Sequence, residues 1–341
     1  MAIKKISVEN FTVFENIEIE FCDGINVFIG ENGTGKTHLL KILYATSKFE
    51  IKEAESAIGP ISEVLANSNN FAYGTNWYSE LIFFFAMMNE QSLHRNLNID
   101  IQYSIAIKGD KHDFILKSSD IFYVKKVEDN ICVFIPAKEM LVHSGLEKDY
   151  SQRHLPFDVT LIDILIKAGV STLKNLPDDM VEIMEKIAQI VGGAIAFENN
   201  RYYIQRPNGT LIDFAVEAEG FKKLGLIYRL IETGNIAKGS VLIWDEPESN
   251  LNPKLIPDLI DIILMLEEAG VQMFFATHDY FFAKFLEVRK TKKHKVLYHA
   301  LFNDGNGVSC ESQEDFDNLE NNSIIAQSIA LYKEEVKKVM E

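Results

Sequence analysis

Apolar and polar positions alternate with period two through "KKISVENFTVFENIEIEF" near the start of the chain. That period marks strands with one buried face, so the stretch reads as an antiparallel pair. It turns at "CDG" into "INVFIG", a nearly unbroken apolar run that predicts a buried strand. A helix is expected from Thr37 to Ser47. Residues from about 50 to 98 read mostly as helix, with the cluster "YSELIFFFAMMNEQSL" as core packing. The segments "IDIQYSIAI", "HDFILKSS", "IFYVKKV" and "ICVFIP" then predict an antiparallel meander with tight turns at "KGDK" and "VEDN".

After "PAKEML" the period becomes helical. "PFDVTLIDILIKAG" and "LPDDMVEIMEKIAQIVGG" space their apolar residues for helices, and each ends at Gly. A hairpin follows in "AIAFENNRYYIQRPNGTLIDFAV", with turns at "ENN" and "PNG". Next come helix "EGFKKLGLIYRLIETG", strand "SVLIWDEPE", helix "NPKLIPDLIDIILMLEEAG" and strand "VQMFFATHD". Strand, helix, strand in that order predicts an α/β crossover in a mainly parallel sheet. "NDGNGVSCESQEDFDNLENN" reads as a surface loop and "IIAQSIALYKEEVKKVME" as a closing helix.

Composition narrows the class. With 341 residues, 47% of them hydrophobic, the chain can bury a large core in one elaborate domain or two lobes. Its longest apolar run, "LIFFFAMM", is far short of the ~20 residues that cross a bilayer. The N-terminus lacks a signal-peptide core, and Cys22, Cys132 and Cys310 are too scattered for a disulfide framework or metal pair. A soluble cytoplasmic protein with no membrane partner is expected. The net charge of −16 argues against coating nucleic acid, so any such contact needs a local patch. "VRKTKKHK", Val288 to Lys295, is the candidate, and a solvated loop is the simpler reading of it.

The chemistry begins at "FIGENGTGKTHLL". Gly30, Gly35, Lys36 and Thr37 satisfy G-x-x-x-x-G-K-[ST] between a strand and a helix. Gly30, Gly33 and Gly35 let successive backbone N–H groups turn inward toward phosphate oxygens. Glu31, Asn32, Thr34 and His38 complete the expected nucleotide-binding loop and helix start. The helix adds its positive end. Lys36 would meet the β- and γ-phosphates of ATP, and the Thr37 hydroxyl would meet Mg²⁺.

"VLIWDEPE" supplies the second half. A buried strand ends in Asp245, expected on Mg²⁺ through water, and Glu246, expected as general base for the attacking water. "FFATHD" then places His278 at the end of the next apolar strand, in reach of a γ-phosphate. The long gap between Gly30 and Asp245, and the lack of an N-K-x-D guanine reader, point away from GTPases and ring ATPases.

With these residues assembled, the chain resembles an ABC-class AAA-family ATPase related to RecF, SMC and OLD proteins. The tokens are "GENGTGKTHLL", "FIPAKEML", "EAEGFKKLGLIYRLI", "IWDEPESNLNP" and "FFATHD". The resemblance implies an α/β P-loop head with a β-meander subdomain and a helical lobe. The ATPase lobe would comprise 1–140 and 236–341, with an insert at about 50–135. The helical lobe would span 141–235. It implies a D-loop at Ser249 to Pro253 and a signature segment at Ala218, Glu219 and Gly220 that caps the nucleotide of a second subunit. Ala218 stands where the family has serine, which implies slow turnover or an altered dimer. Lys138 or Glu139 would replace the lobe-joining glutamine, and the base would rest near Asn10 to Phe14.

SMC-type coiled-coil arms and an OLD-type TOPRIM nuclease are not evident, so an ATPase engine alone is expected. The first functional reading is a head-to-tail homodimer, or higher oligomer, that controls a separately encoded toxin or nuclease in anti-phage defence. Alternatives are a DNA-repair ATPase using Lys290, Lys292, Lys293 and Lys295, a nucleotide-sensing scaffold, and a transporter motor.

Overall fold

A computed structural model describes residues 2–47, 49–53, 104–109, 113–117, 122–126, 131–144, 146, 159–199, 201–305 and 307–340. The chain divides into two compact units. The first holds Met1–Asp23, Phe28–Asn130 and Leu297–Glu341, and the second holds Gly24–Val27 and Ile131–Val296.

In the first unit, β1 (Ile3–Phe11) and β2 (Phe14–Glu20) form the expected antiparallel pair, with Ile6 opposite Ile19 and Phe11 opposite Phe14. β3 (Ile25–Gly30) is buried along its whole length, and the division falls within it. The helix α1 (Lys36–Ser47) follows the glycine loop. β4 (Phe49–Glu53) is a strand, where sequence periodicity predicted the start of a helix. "FEIKE" alternates with period two, and it pairs antiparallel with β7 (Phe122–Lys126). The remaining helical expectation, residues 54–98, lies outside the described residues.

The expected single meander is not what forms. β5 (Ser104–Gly109) and β6 (Asp113–Lys117) make a hairpin, and β5 adds to the free edge of β1. β7 goes to β4 instead. β8 (Cys132–Ile135) joins the second unit, parallel to another strand. All four residues of β8 are buried, the pattern of a strand covered on both faces rather than of a meander with one wet face.

In the second unit, α2 (Val159–Gly169) and α3 (Asp178–Val191) realise the two predicted helices. α3 buries Met180, Ile183, Met184, Ile187 and Val191, one stripe of a 3.6-residue helix, and ends on Gly192 in the left-handed region. The sheet of β9 (Ala194–Glu198), β10 (Arg201–Gln205) and β11 (Leu211–Asp213) is the predicted hairpin region. α4 (Glu219–Glu232) leads to β12 (Val241–Asp245), α5 (Ile256–Glu268) and β13 (Gln272–Ala276). β13 and β8 flank β12, both in parallel, with Asp245 level with Ala276. The start of β3 lies beside β13, where the Met273 amide donates to Gly24 O at 2.8 Å. Arg229 of α4 donates to Ala168 O and Val170 O, closing the C-terminal end of α2.

α6 (Tyr280–Arg289), which periodicity missed, follows β13 and is capped by Asp279. β14 (Val296–Asn303) and β15 (Val308–Gln313) are an antiparallel pair. β15 occupies part of the stretch expected to be a surface loop. Its residues are buried or half-buried up to Glu311, and its strand character comes from pairing. α7 (Ser323–Met340) is the expected closing helix.

The first unit buries the imidazole of His299 completely. His299 of β14 stacks on Phe28 with centroids 4.9 Å apart, meets Phe21 edge-on at 5.6 Å, and places Nδ1 2.8 Å from Ser312 Oγ. Burial pushes its pKa down to about 3. Below the ordinary value of 6.5 the unfolded chain gains a proton that the folded chain refuses, so stability is lost as pH falls from there toward 3. Thermal unfolding of the wild type therefore shifts down between about pH 6.5 and 5, and His299→Gln flattens that slope. A slope unchanged by the substitution refutes the assignment.

Candidate functional site

The glycine loop is built on strand and helix in sequence, so its geometry is local. β3 ends at Gly30 with φ 147°, and Gly33 and Gly35 follow at φ 84° and 86°. A Cβ on Gly30 would stand 2.2 Å from Leu301 O, and one on Gly35 would meet Val13 and Phe14 at 2.6 Å. Sterics as well as backbone conformation thus reserve both positions for glycine. Glu31, Asn32 and Gly33 are exposed at the tip. Thr34 Oγ1 donates to Glu31 O at 2.9 Å and braces the turn. Lys36 is buried and folds over the loop, giving hydrogen bonds to Gly30 O at 2.9 Å and Glu31 O at 2.8 Å. Its ammonium therefore sits against the backbone of the glycine loop. Thr37 is exposed in the first turn of α1. His38 is half-buried, and burial, then Lys41, pull its pKa down.

The hairpin of β1 and β2 packs on this loop. Its tip carries Asn10 at φ 52° and Thr12 at φ 55°, and Val13 and Phe14 lie against Gly35. The segment expected to hold a nucleotide base is thus next to the loop within the same unit.

The second unit gathers Ala218, Glu219, Gly220, Asp245, Glu246 and His278. β12 is fully buried and ends at Asp245, itself 9% exposed. Glu246 then turns the chain at φ 48°, a left-handed conformation that costs about 1–3 kcal/mol for a residue with a side chain. Its amide donates to Ala276 O at 2.9 Å and its carbonyl accepts from the Ser249 amide at 3.0 Å. Asn250 repeats the left-handed conformation at φ 60°. His278 is exposed just beyond β13. The turn holding it is fixed by Thr277, whose hydroxyl donates to Glu248 Oε1 at 2.6 Å and accepts from the Asp279 amide at 3.0 Å.

Sequence reasoning passed over Glu248. Its Oε2 is buried and has no hydrogen-bond partner among the described residues. Burial raises its pKa to about 7 against the lowering effect of the Thr277 hydrogen bond.

α4 begins at the exposed Ala218 and Glu219, and Ala218 gives no side-chain cap. Gly220 is buried where a Cβ would stand 2.8 Å from Leu251 and 3.1 Å from Leu255. The start of α4 therefore rests on the loop after Glu246. Glu139 is committed to the Leu141 and Val142 amides, and Lys138 is exposed. In the basic segment, Arg289 pairs with Asp261, Lys290 with Glu287 at 2.9 Å, and His294 with Glu268 at 3.1 Å. Only part of its charge therefore faces solvent unopposed. Among the described residues no cluster of His, Cys, Asp or Glu has the makings of a closed metal site, and no helix is long and apolar enough to cross a membrane.

Residues 25–283 match the family described as "AAA domain, putative AbiEii toxin, Type IV TA system". Similar curated proteins are called "DNA replication and repair protein RecF". That of Oceanobacillus iheyensis is 32% identical over 33% of this chain and 25% of its own length. That of Caldanaerobacter subterraneus subsp. tengcongensis is 23% identical over 67% of this chain and 62% of its own. The chain thus spans less than two thirds of these relatives. Two solved structures share the fold. The Smc head with extended coiled coil bound to the C-terminal domain of ScpA, from Pyrococcus furiosus, has TM-score 0.51 and 9% identity over 98% of this chain and 99% of that one. An Smc head bound to the C-winged helix domain of ScpA has TM-score 0.50 and 12% identity over 92% and 98%.

Two outcomes test this description. Gly35→Ala lowers stability by more than Gly33→Ala, because only Gly35 adds a clash to the backbone cost of about 1–2 kcal/mol. Equal losses in chemical denaturation contradict the packing of Phe14. For Glu248, the folded pKa near 7 lies above the usual 4.5, so its contribution is full below 4.5 and fades as pH rises through 7. Glu248→Gln is therefore expected to gain stability relative to wild type at about pH 8 but not at about pH 4.5. An offset that does not change with pH removes the assignment.

Proposed function

This chain belongs to that AAA-domain family and has the ABC-class P-loop NTPase fold of RecF/SMC type, and from that premise we propose that it binds ATP with Mg²⁺ and hydrolyses it. The observation that carries the reading is the glycine cradle with the ammonium of Lys36 already drawn over it. Gly30, Glu31, Asn32, Gly33, Thr34, Gly35, Lys36, Thr37 and His38 are the nucleotide-binding set. Thr37 and Asp245 would hold Mg²⁺, which when bound offsets phosphate charge. Glu246 would take the proton of the attacking water, and His278 would contact the γ-phosphate. The strained turn supports Glu246 in this role, since such conformations persist where surrounding contacts impose them.

In the same reading, Ala218, Glu219 and Gly220 cap the nucleotide of a second copy, giving a head-to-tail homodimer. The exposed, uncapped start of α4 leaves backbone N–H groups available for an anion. Residues 1–140 and 236–341 act as the ATPase lobe and 141–235 as the helical lobe. ATP-dependent closure then controls a separately encoded effector, a toxin or nuclease, in anti-phage defence. The toxin–antitoxin wording of the family and the ScpA domains bound to the similar Smc heads support a protein partner. Direct action on DNA is the second reading, favoured by the names of the RecF relatives and by exposed Lys292 and Lys293.

Glu246→Gln is expected to keep ATP affinity, to lose about 10²–10⁴ in turnover, and to accumulate as an ATP-dependent dimer in light scattering. Lys36→Ala loses binding. Wild-type protein without ATP affinity overturns the proposal. DNA-stimulated turnover that falls when Lys292 and Lys293 are removed favours the second reading.

A further inference from the structure

Lys223 stands where the helical pattern calls for an apolar residue. α4 is buried over most of its circumference, Lys222 and Arg229 included, and Lys223, 3% exposed, lies in line with the buried Gly220, Leu224, Ile227 and Ile231. Burying an ammonium is unfavourable unless its hydrogens are matched. Among the described residues no carboxylate lies within ion-pair distance of it. Its hydrogens go to Ser249 Oγ at 2.6 Å, Glu246 O at 3.1 Å and, at the limit of hydrogen-bond length, Pro247 O at 3.5 Å. Every acceptor lies on the turn that follows β12. Ser249 Oγ passes the connection on to Ala137 O at 3.1 Å.

We propose that Lys223 is a positioning residue that clamps the turn Glu246–Ser249 onto α4 and so holds Glu246 in the conformation from which it acts. The inference rests on the reading of Glu246 as general base. The Glu246 carbonyl has two donors, Lys223 and the Ser249 amide, while its own amide is fixed to Ala276. These contacts over-determine a left-handed residue that would otherwise relax. An apolar side chain of the same length would fill the space and leave two carbonyls and a hydroxyl short of their donor. Burial lowers the Lys223 pKa to about 8, while the fields of Glu248, Glu246, Glu219 and Asp245 oppose the shift and favour the ammonium that supplies all three hydrogens. Because α4 starts directly after Ala218, the helix proposed to cap a nucleotide also grips the catalytic turn.

The test is Lys223→Met, with Ser249→Ala as a milder variant that removes one acceptor. Lys223→Met is expected to lower kcat by about a hundredfold, as misplacement of a reacting group does, with ATP affinity changed by less than about twofold. In a Glu246→Gln background the same substitution adds no further loss, because the group it positions is gone. Hydrogen exchange of the Glu246, Ser249 and Leu251 amides speeds up in Lys223→Met with or without nucleotide. A kcat within about twofold of wild type, or an equal loss in the Glu246→Gln background, overturns the proposal. Unchanged exchange at those amides overturns it independently. If wild type itself fails to hydrolyse ATP, the functional reading falls, and exchange alone then decides whether the clamp exists.

Discussion

A strand buried on both faces admits a polar side chain only where a hydrogen bond is waiting for it, as Met273 O is for Asn26 of β3. β3, β12 and β13 are buried at every position, and the residues proposed to carry the chemistry lie where each stops. Gly30 closes β3, Asp245 closes β12, and His278 follows β13. The apolar run supplies the driving force for burial and sets the point at which the backbone must turn and find new hydrogen bonds. Two of the three turns answer with an unusual backbone: glycine at positive φ where β3 ends and Glu246 at φ 48° after β12. The catalytic candidates are therefore products of core formation as much as of polar patterning.

The second unit then spends polar groups on holding one such turn. Lys223 reaches it from α4, Glu248 ties it to Thr277, and Gly220 allows Leu251 and Leu255 to lie against the start of α4. These contacts link the start of α4, the acidic turn and the His278 turn through side chains that individually look like structural detail. Two of them, Lys223 and Glu248, are ionisable groups whose burial moves their proton affinities in opposite directions. Retaining them in a closed interior makes physical sense where precise placement matters more than the last increment of stability.

The likeness to RecF proteins and Smc heads fits this arrangement without extending it. Identities of 9% and 12% to the Smc heads speak for a shared fold. Function belongs to sites carried on the fold, and here the site residues rest on their own chemistry. The neutralised portions of the basic segment illustrate the point: Arg289 and Lys290 are occupied by Asp261 and Glu287, whatever the relatives do with DNA.

The phosphate loop, α1, the hairpin of β1 and β2, and the β12–α5–β13 crossover were legible in the amino-acid order, because each depends on neighbours a few positions away. Glycine conformations, caps and hydrophobic periods are local quantities. Pairing choices were not legible. β8 joined a parallel sheet, β7 went to β4, and β15 formed against β14 from a stretch that reads as loop, since a strand's partner is selected by long-range burial rather than by its own period. Lys223 left a faint mark, a charge on an apolar stripe, but its meaning came only when folding set it under Glu246, Pro247 and Ser249. A residue's type is written in the chain. Which acceptors its hydrogens meet depends on segments far apart in sequence, and that is decided by packing.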